Sequence, residues 1–321
     1  MARVAISTVL GLLLGSFLSG ATRAQTPEKP PATDKTVPAV QTKTPPATSA
    51  TGPSEYLGAD VCKTCHEDIY NNWEKSPHWK TMLDTKGGPS HQGCEGCHGP
   101  GSAHVAGGGD RTKIFVFSER SPKEINAQCL TCHAGGIQHM NAINSVHAKN
   151  DVSCTSCHSP HHAETKEFLL IKAQPALCYS CHLDKKAQFA MPFHHRVDEG
   201  LIQCSDCHNV HGTVGPKQVR ASSAQDAICT TCHIDKQGPF VYEHSPVKVD
   251  GCQSCHVPHG GPNPHMLRLS NVNLLCLQCH TTSFSSAPGA PSFHNQSTFF
   301  QACTLCHVEI HGSNFDATFF K

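Results

Sequence analysis

The sequence is poor in charged residues and lacks long apolar segments. Asp, Glu, Lys and Arg supply 16% of its 321 residues, where about a quarter is usual in soluble domains. No apolar run reaches the roughly 20 residues that a transmembrane helix needs, and no cysteine lies outside one repeated pattern. The composition excludes an ordinary globular enzyme. If the chain crosses a membrane, another protein must shield its backbone from lipid.

The first 54 residues carry no cysteine and divide into two segments. Residues 1–24 have the layout of a secretory signal peptide, with an apolar run over residues 4–17 and small residues before a cleavage site after Ala24. A membrane anchor is disfavoured because this run is too short to span a bilayer. Residues 25–54 are rich in Pro, Thr, Lys and Ala, which predicts a disordered tether. We therefore expect an exported, periplasmic protein whose functional domain occupies residues 55–321.

Ten C-x-x-C-H motifs, numbered 1–10 in chain order, account for all 20 cysteines. In a c-type haem site the two thiols form thioethers with the haem and the adjacent His binds iron. Disulfides would not need that His, and zinc sites need paired C-x-x-C units or two spaced His. The motifs therefore predict ten covalent c-type haems. The thioether cysteines are Cys62, Cys65, Cys94, Cys97, Cys129, Cys132, Cys154, Cys157, Cys178, Cys181, Cys204, Cys207, Cys229, Cys232, Cys252, Cys255, Cys276, Cys279, Cys303 and Cys306, and the proximal iron ligands are His66, His98, His133, His158, His182, His208, His233, His256, His280 and His307.

Fifteen of the 25 His remain, and ten haems with two imidazoles each need ten of them. Five follow the even-numbered motifs so closely that each should bind a neighbouring iron: His104, His161, His211, His259 and His311. Five precede the same motifs: His78, His147, His194, His244 and His294. His194 is preferred to His195 because it aligns with His244 in H-x-x-V. Surface or supporting roles are left for His91, His139, His162, His195 and His265, and axial Met is disfavoured because His is in surplus.

The motifs form five dihaem modules, each with two consecutive motifs, and tandem repetition predicts an elongated array. From Cys62 to His311 there are about 25 residues per haem, too few for sheets or a separate catalytic domain. The predicted fold is a multihaem c-type cytochrome, mostly irregular with short α-helices and almost no strand, in which the haems are the core. Helices are predicted at residues 123–132, 173–181 and 222–232, and loops elsewhere because the chain has 22 Pro and 25 Gly.

Several stretches between Tyr56 and Asn314 resemble the MtrA/DmsE family of decahaem cytochromes. They include Y-L-G-A-D-V-C-K-T-C-H, G-C-E-G-C-H-G-P-G-S-A-H, C-S-D-C-H-N-V-H-G, G-P-F-V-Y-E-H-S-P-V, C-Q-S-C-H-V-P-H-G and I-H-G-S-N. The resemblance implies bis-His ligation of all ten haems and insertion in an outer-membrane β-barrel, porin-like partner. It also implies a periplasmic or inner-membrane quinol-linked cytochrome as donor and an extracellular multihaem cytochrome or terminal reductase as acceptor. Nucleic acid is not an expected partner.

Two other functions stay open at this point. A soluble periplasmic electron shuttle would carry the same haems without a barrel. A multihaem reductase needs an iron with an open position and usually an atypical proximal ligand, but all ten motifs end in His, so an enzyme is disfavoured. The favoured function is an electron conduit, a ten-haem wire inside a β-barrel that carries electrons from periplasmic donors across the outer membrane to an extracellular acceptor. It is favoured because a bilayer with its headgroups is about 40–45 Å thick, a distance that ten haems in a row can cover.

Overall fold

The computed structural model describes residues 54–220, 227–280 and 302–320. The chain divides into two units, Met1–Pro46 and Ala47–Lys321, and all the described residues belong to the second. The predicted signal peptide, residues 25–53 of the predicted tether and His294 lie outside the described residues.

The described helices are short. The longest, α5, has 12 residues and begins with a capping box in which Ser121 and Glu124 satisfy each other's backbone N–H, with Pro122 in the first turn. It confirms the helix predicted at residues 123–132. The predicted helix at 173–181 is reduced to α7, which begins only after Pro175. The α-helices are α1 Ala59–Lys63, α2 Glu67–Glu74, α3 Glu95–His98, α4 Ser102–Ala106, α5 Pro122–His133, α6 Val146–Lys149, α7 Ala176–Tyr179, α8 Leu183–Phe189, α9 Cys204–Cys207, α10 Ala227–Thr230, α11 Ser245–Val249 and α12 Val272–Cys276.

Between these helices the described chain forms turns and isolated bridges. Within residues 54–220, 227–280 and 302–320 the β-structure is limited to single bridges, such as Phe193 with Gly261 and Tyr242 with Ser313, which confirms the prediction of almost no strand. The short 3₁₀ turns are Pro77–Leu83, Pro89–His91, Arg111–Lys113, Phe117–Glu119, Ile137–His139, Ala142–Asn144, Cys154–Ser156, Glu167–Leu169, Pro216–Gln218, Ile234–Lys236, Cys252–Ser254, Pro264–Met266 and Cys303–Leu305.

In the part of the chain that the structure describes, protein side chains alone form little apolar core. Tyr179, Phe189 and Val197 make one small buried cluster, against which Ile202 and Cys204 pack. Many large apolar side chains are exposed to at least a third of their area, and Val214 is 97% exposed. A chain that buries so few apolar groups cannot offset its own conformational entropy. This agrees with a fold in which the cofactors supply most of the core. In the described part of the chain, no helix is both long and apolar enough to cross a membrane.

Specific hydrogen bonds join the two motifs of a module. The Asn126 side chain accepts the Cys154 N–H at 2.8 Å in module 2, and the Asn273 side chain accepts the Cys303 N–H at 2.8 Å in module 5. In module 3 the Gln174 side-chain amide donates to the Ser205 hydroxyl at 3.0 Å and accepts the Ser205 N–H at 3.2 Å. A residue ahead of the first motif therefore fixes the start of the second.

Backbone bridges join successive modules. Phe193 and Gly261 exchange two backbone hydrogen bonds of 3.2 and 2.9 Å between modules 3 and 4. Tyr242 and Ser313 do the same between modules 4 and 5, at 2.8 and 2.9 Å. These bridges hold the segments that carry the non-motif histidines against the neighbouring module.

Candidate haem-ligating sites

The motifs share one local conformation. In nine of them the His N–H donates to the carbonyl oxygen of the first Cys at 2.9–3.1 Å, and in motif 3 the corresponding residues form the last turn of α5. This hydrogen bond closes a single turn that holds the two thiols and the imidazole of a motif within five consecutive residues. It is the arrangement required for two thioether bonds and one axial ligand on a single haem.

Cysteine contacts place successive motifs side by side. A hydrogen bond between the Cys62 and Cys94 thiols lowers the pKa of Cys62 to about 7 and raises that of Cys94. The first cysteines of the two motifs in modules 2, 3 and 5 are also paired, and the second cysteine of motifs 2, 4, 6 and 8 lies close enough to interact electrostatically with the following motif. These contacts join motifs 1–7 and motifs 8–10 in chain order.

Nine of the ten proximal histidines each face one histidine from outside the motifs. Because a metal–imidazole bond is about 2 Å long, two imidazoles on opposite sides of one iron have ring centres about 6 Å apart. The nine pairs meet this requirement. Their ring-centre distances are 6.4 Å for His66–His104, 6.2 Å for His98–His161, 6.1 Å for His133–His78, 6.0 Å for His158–His211, 6.1 Å for His182–His147, 6.1 Å for His208–His259, 6.2 Å for His233–His195, 6.2 Å for His256–His311 and 6.3 Å for His280–His244.

Neighbouring modules exchange these histidines. Module 2 places His161 opposite His98 of module 1, and module 1 places His78 opposite His133 of module 2. The same exchange occurs at the other three junctions. In module 1, which has no preceding module, His104 stays within the module and faces His66. The equivalent partner of His307 would be His294, which lies outside the described residues, so that pair stays a prediction.

At one position the structure departs from the sequence prediction. His195, not His194, faces His233. The His194 ring instead approaches the Glu199 carboxylate at 3.2 Å and the Met191 carbonyl at 2.5 Å. The alignment with His244 misled because the bridge residues, Phe193 and Tyr242, set the register. His195 and His244 each lie two residues after such a bridge, whereas His194 lies one residue after it. We therefore correct the candidate ligand of motif 7 from His194 to His195.

Even-numbered motifs carry a hydrogen bond that sequence reasoning missed. Their proximal histidines place Nδ1 against a backbone carbonyl further along the chain, which selects the tautomer that leaves Nε2 free for a metal. The acceptors are Phe115 for His98 at 2.8 Å, Phe168 for His158 at 2.6 Å, Lys217 for His208 at 3.0 Å, His265 for His256 at 2.8 Å and Thr318 for His307 at 2.5 Å.

In modules 2, 3 and 4 the acceptor residue is strained. Phe168, Lys217 and His265 have φ of 57–58°, and the residue after each is also left-handed, with φ of 52–53°. Each non-glycine residue in this conformation costs about 1–2 kcal/mol. Two consecutive left-handed residues recur at this place in three modules. We therefore attribute the strain to the need to direct the carbonyl at the proximal His. The three acceptor residues lie nine or ten positions after the motif His but share no residue type, so the sequence alone did not mark them.

Burial keeps several facing histidines neutral. It lowers the pKa of His161, His211 and His259 to about 4, with smaller contributions from neighbouring imidazoles and, at His259, from Lys185. Burial also lowers the pKa of His78 and His98. A neutral imidazole is the form that binds a metal. The donor set therefore fits haem iron in both position and protonation.

Two of the remaining surplus histidines, His139 and His162, lie beside paired histidines. The His139 ring is 5.8 Å from that of His133 and 4.4 Å from that of His211. His162 is adjacent to His161 and contacts Asn72 of module 1 at 3.5 Å. His91 interacts with the Gly87 carbonyl at 2.9 Å. None of these three, nor His194, is one of the paired histidines described above.

Comparisons with known proteins agree with the geometry. Residues 147–187, 194–238 and 244–283 match the family described as a doubled CXXCH motif. The chain is 31% identical over 268 residues to the multiheme cytochrome MtrA of Shewanella baltica, which covers 80% of this chain and 79% of that protein. It is 26% identical over 231 residues to the C-type polyheme cytochrome OmcC of Geobacter sulfurreducens, covering 58% of this chain and 28% of that protein.

Proposed function

The chain belongs to the MtrA family of multihaem c-type cytochromes, and from this premise we propose that it conducts electrons across the outer membrane through ten bis-His haems. Electron transfer by covalently bound haem c follows from the family and from the paired motifs. The number of haems, their ligands, the route and the partners belong to the proposal.

The observation that carries the proposal is the set of nine facing His pairs, all with ring centres 6.0–6.4 Å apart. Haem supplies one-electron iron chemistry, and the protein residues set its position and its surroundings. The two thiols of a motif would attach its haem, and the two facing imidazoles would both ligate its iron. No small molecule can then reach the metal without displacing a ligand, which argues against an enzyme.

Exchange of histidines between modules supports a continuous path. Each interior module contributes one ligand to the module before it and one to the module after it, so adjacent sites share a protein frame. Removing one module would break ligation on both sides. Such coupling suits a fixed conductor better than a set of independent carriers.

The proposed route runs from a periplasmic or inner-membrane quinol-linked donor to an extracellular multihaem cytochrome or terminal reductase. The signal-peptide pattern of residues 1–24 supports export. Because the sequence has no apolar segment of transmembrane length, the proposal requires a porin-like β-barrel partner around the chain.

A low-temperature EPR spectrum of the purified, oxidised protein tests the ligation. We expect all ferric iron to be low-spin and unchanged by nitrite or cyanide. About one high-spin haem in ten that binds the added ligand would contradict full bis-His ligation and would make that haem a candidate active site.

Purification from outer membranes tests the route. We expect the chain to co-purify in fixed ratio with a β-barrel protein and, with it, to let an external reductant reduce a redox dye trapped inside liposomes. The chain alone should not do so. Recovery of all the protein in the soluble periplasmic fraction, without a barrel, would replace the conduit with a shuttle.

A further inference from the structure

The nine described histidine pairs differ in how many of their two Nδ1 atoms have a hydrogen-bond acceptor. In six of the nine described pairs, one imidazole and not the other hydrogen-bonds through Nδ1, in each case to a backbone carbonyl. The bond comes from the proximal His in pairs 2, 4 and 8 and from the facing His in pairs 1, 5 and 7, where the acceptors are Asp110, Val210 and Pro258. In pair 9 the Ile310 backbone acts on His244 as an acceptor that favours its protonated form. Pairs are numbered by the motif of their proximal His. One such bond per pair is therefore the common arrangement.

Pair 3 has none. The Nδ1 atom of His78 is buried and has no hydrogen-bond partner within the described residues. The ring of His133 lies against the rings of His78 and His139, and it makes no hydrogen bond to the part of the chain that the structure describes. Neither imidazole of this pair is supported by a protein acceptor among residues 54–220, 227–280 and 302–320.

Pair 6 has two. Nδ1 of His208 donates to the Lys217 carbonyl at 3.0 Å. Nδ1 of His259 lies 3.1 Å from the side-chain oxygen of Gln188, which α8 of module 3 presents across the junction with module 4. Both imidazoles of this pair therefore have an acceptor.

An acceptor at Nδ1 makes an imidazole a more basic ligand. A more basic ligand stabilises ferric over ferrous iron, and hydrogen bonding around the ligands is one of the means by which a protein sets the potential of a haem. We propose that the haem held by His78 and His133 has the highest reduction potential of the nine described sites, and that the haem held by His208 and His259 has the lowest. The proposal rests on the ligation under "Proposed function" and adds the order of potentials.

This order has a consequence for conduction. Electrons that enter the chain collect first at the haem of pair 3, in module 2. Of the nine described sites, the haem of pair 6, in module 3, is the last to be reduced and is the energetic high point along this part of the path. Conduction should therefore be most sensitive to changes at pair 6.

An EPR-monitored redox titration of the full-length holoprotein tests the order. His78→Ala should convert one haem in ten to high-spin and remove the low-spin component that disappears first as the potential is lowered. His259→Ala should remove the component that disappears last. His147→Ala, in a pair with one bond, is the matched control and should remove an intermediate component.

The two proposals fail in different ways. If His78→Ala produces no high-spin iron, the ligation is wrong. If it produces high-spin iron but removes a component other than the first, the ligation stands and the proposed order is wrong.

Variants of Gln188 test the cause without touching a ligand. Gln188→Met keeps the length of the side chain and removes its strong acceptor, so one-tenth of the haem absorbance change should move to higher potential. Gln188→Glu offers a charged acceptor, so the same one-tenth of the absorbance change should move to lower potential. Both variants should stay fully low-spin. Unchanged titrations in both would overturn the proposed role of the Nδ1 bonds.

Discussion

The imidazole of His195 lies with its centre 6.2 Å from that of His233, while its neighbour His194 turns toward Glu199. Adjacent residues thus have different tasks. Nδ1 of His195 is fixed by the Pro258 carbonyl at 2.6 Å, which comes from the next module and aims the other ring nitrogen at His233. His194 shares Glu199 with Arg196 at the surface.

This difference predicts opposite effects of two adjacent alanine substitutions. His195→Ala should leave one iron without its second imidazole and give high-spin ferric signal from about one haem in ten, because the weaker ligand field of water replaces that of His. His194→Ala is the matched control and should keep every haem low-spin. EPR of the two oxidised proteins measures this, and high-spin iron in His194→Ala alone would restore the assignment made from the sequence.

A glycine at the junction of modules 3 and 4 predicts a second effect. Gly260 follows His259, has φ of +145°, and would place a Cβ 2.3 Å from the Gln188 carbonyl and 2.9 Å from the His194 Cβ. Overpacking against backbone typically costs about 1–3 kcal/mol. We therefore expect Gly260→Ala to lower the free energy of unfolding of the holoprotein by about 2 kcal/mol, measured by denaturant titration.

Gly135→Ala is the control for this substitution. A Cβ at Gly135 has no heavy atom within 4 Å, and its φ is not in the left-handed region. Its effect on stability should be small. Equal stability losses in both variants would show that the close approach at Gly260 is not what constrains the junction.

A buried carboxylate in module 1 gives the third prediction. Glu95 is 4% exposed and accepts the backbone N–H groups of Leu57, Gly58 and Gly101 at 2.7–3.0 Å. It thereby ties Leu57 and Gly58 to the turn before α4, the helix that carries His104. Glu95→Gln turns one acceptor into a donor that faces N–H groups, at a cost of about 2 kcal/mol.

The control for that variant is Glu119→Gln. Glu119 forms an exposed ion pair with Arg111, and exposed pairs contribute about 0–1 kcal/mol. Denaturant unfolding of both holoproteins measures the difference. A loss at Glu95 no larger than that at Glu119 would contradict the role assigned to the buried carboxylate.

The haem-attachment residues could be predicted from the sequence, because each C-x-x-C-H motif is a short contiguous signature of covalent haem attachment. The helix at 123–132 and the scarcity of strands followed from capping residues and from the short spacing between motifs. The choice between His194 and His195 could not be made from the sequence. It depends on the Pro258 carbonyl, which accepts a hydrogen bond from His195 although it lies 63 residues away in sequence. The supports at Lys217 and His265 were missed for a related reason: backbone carbonyls leave no mark on residue identity.

The small protein core predicts the effect of withholding haem. The longest described helix has 12 residues, and isolated helices of less than about 12–15 residues are marginal in water. The three residues of the Tyr179, Phe189 and Val197 cluster cannot compensate for this. Chain made without haem attachment should therefore show a far-UV circular dichroism spectrum without helical minima and no cooperative thermal transition, whereas the holoprotein shows both. Reduced, haem-free chain with helical minima and a cooperative transition would mean that the polypeptide, and not the haems, determines this fold.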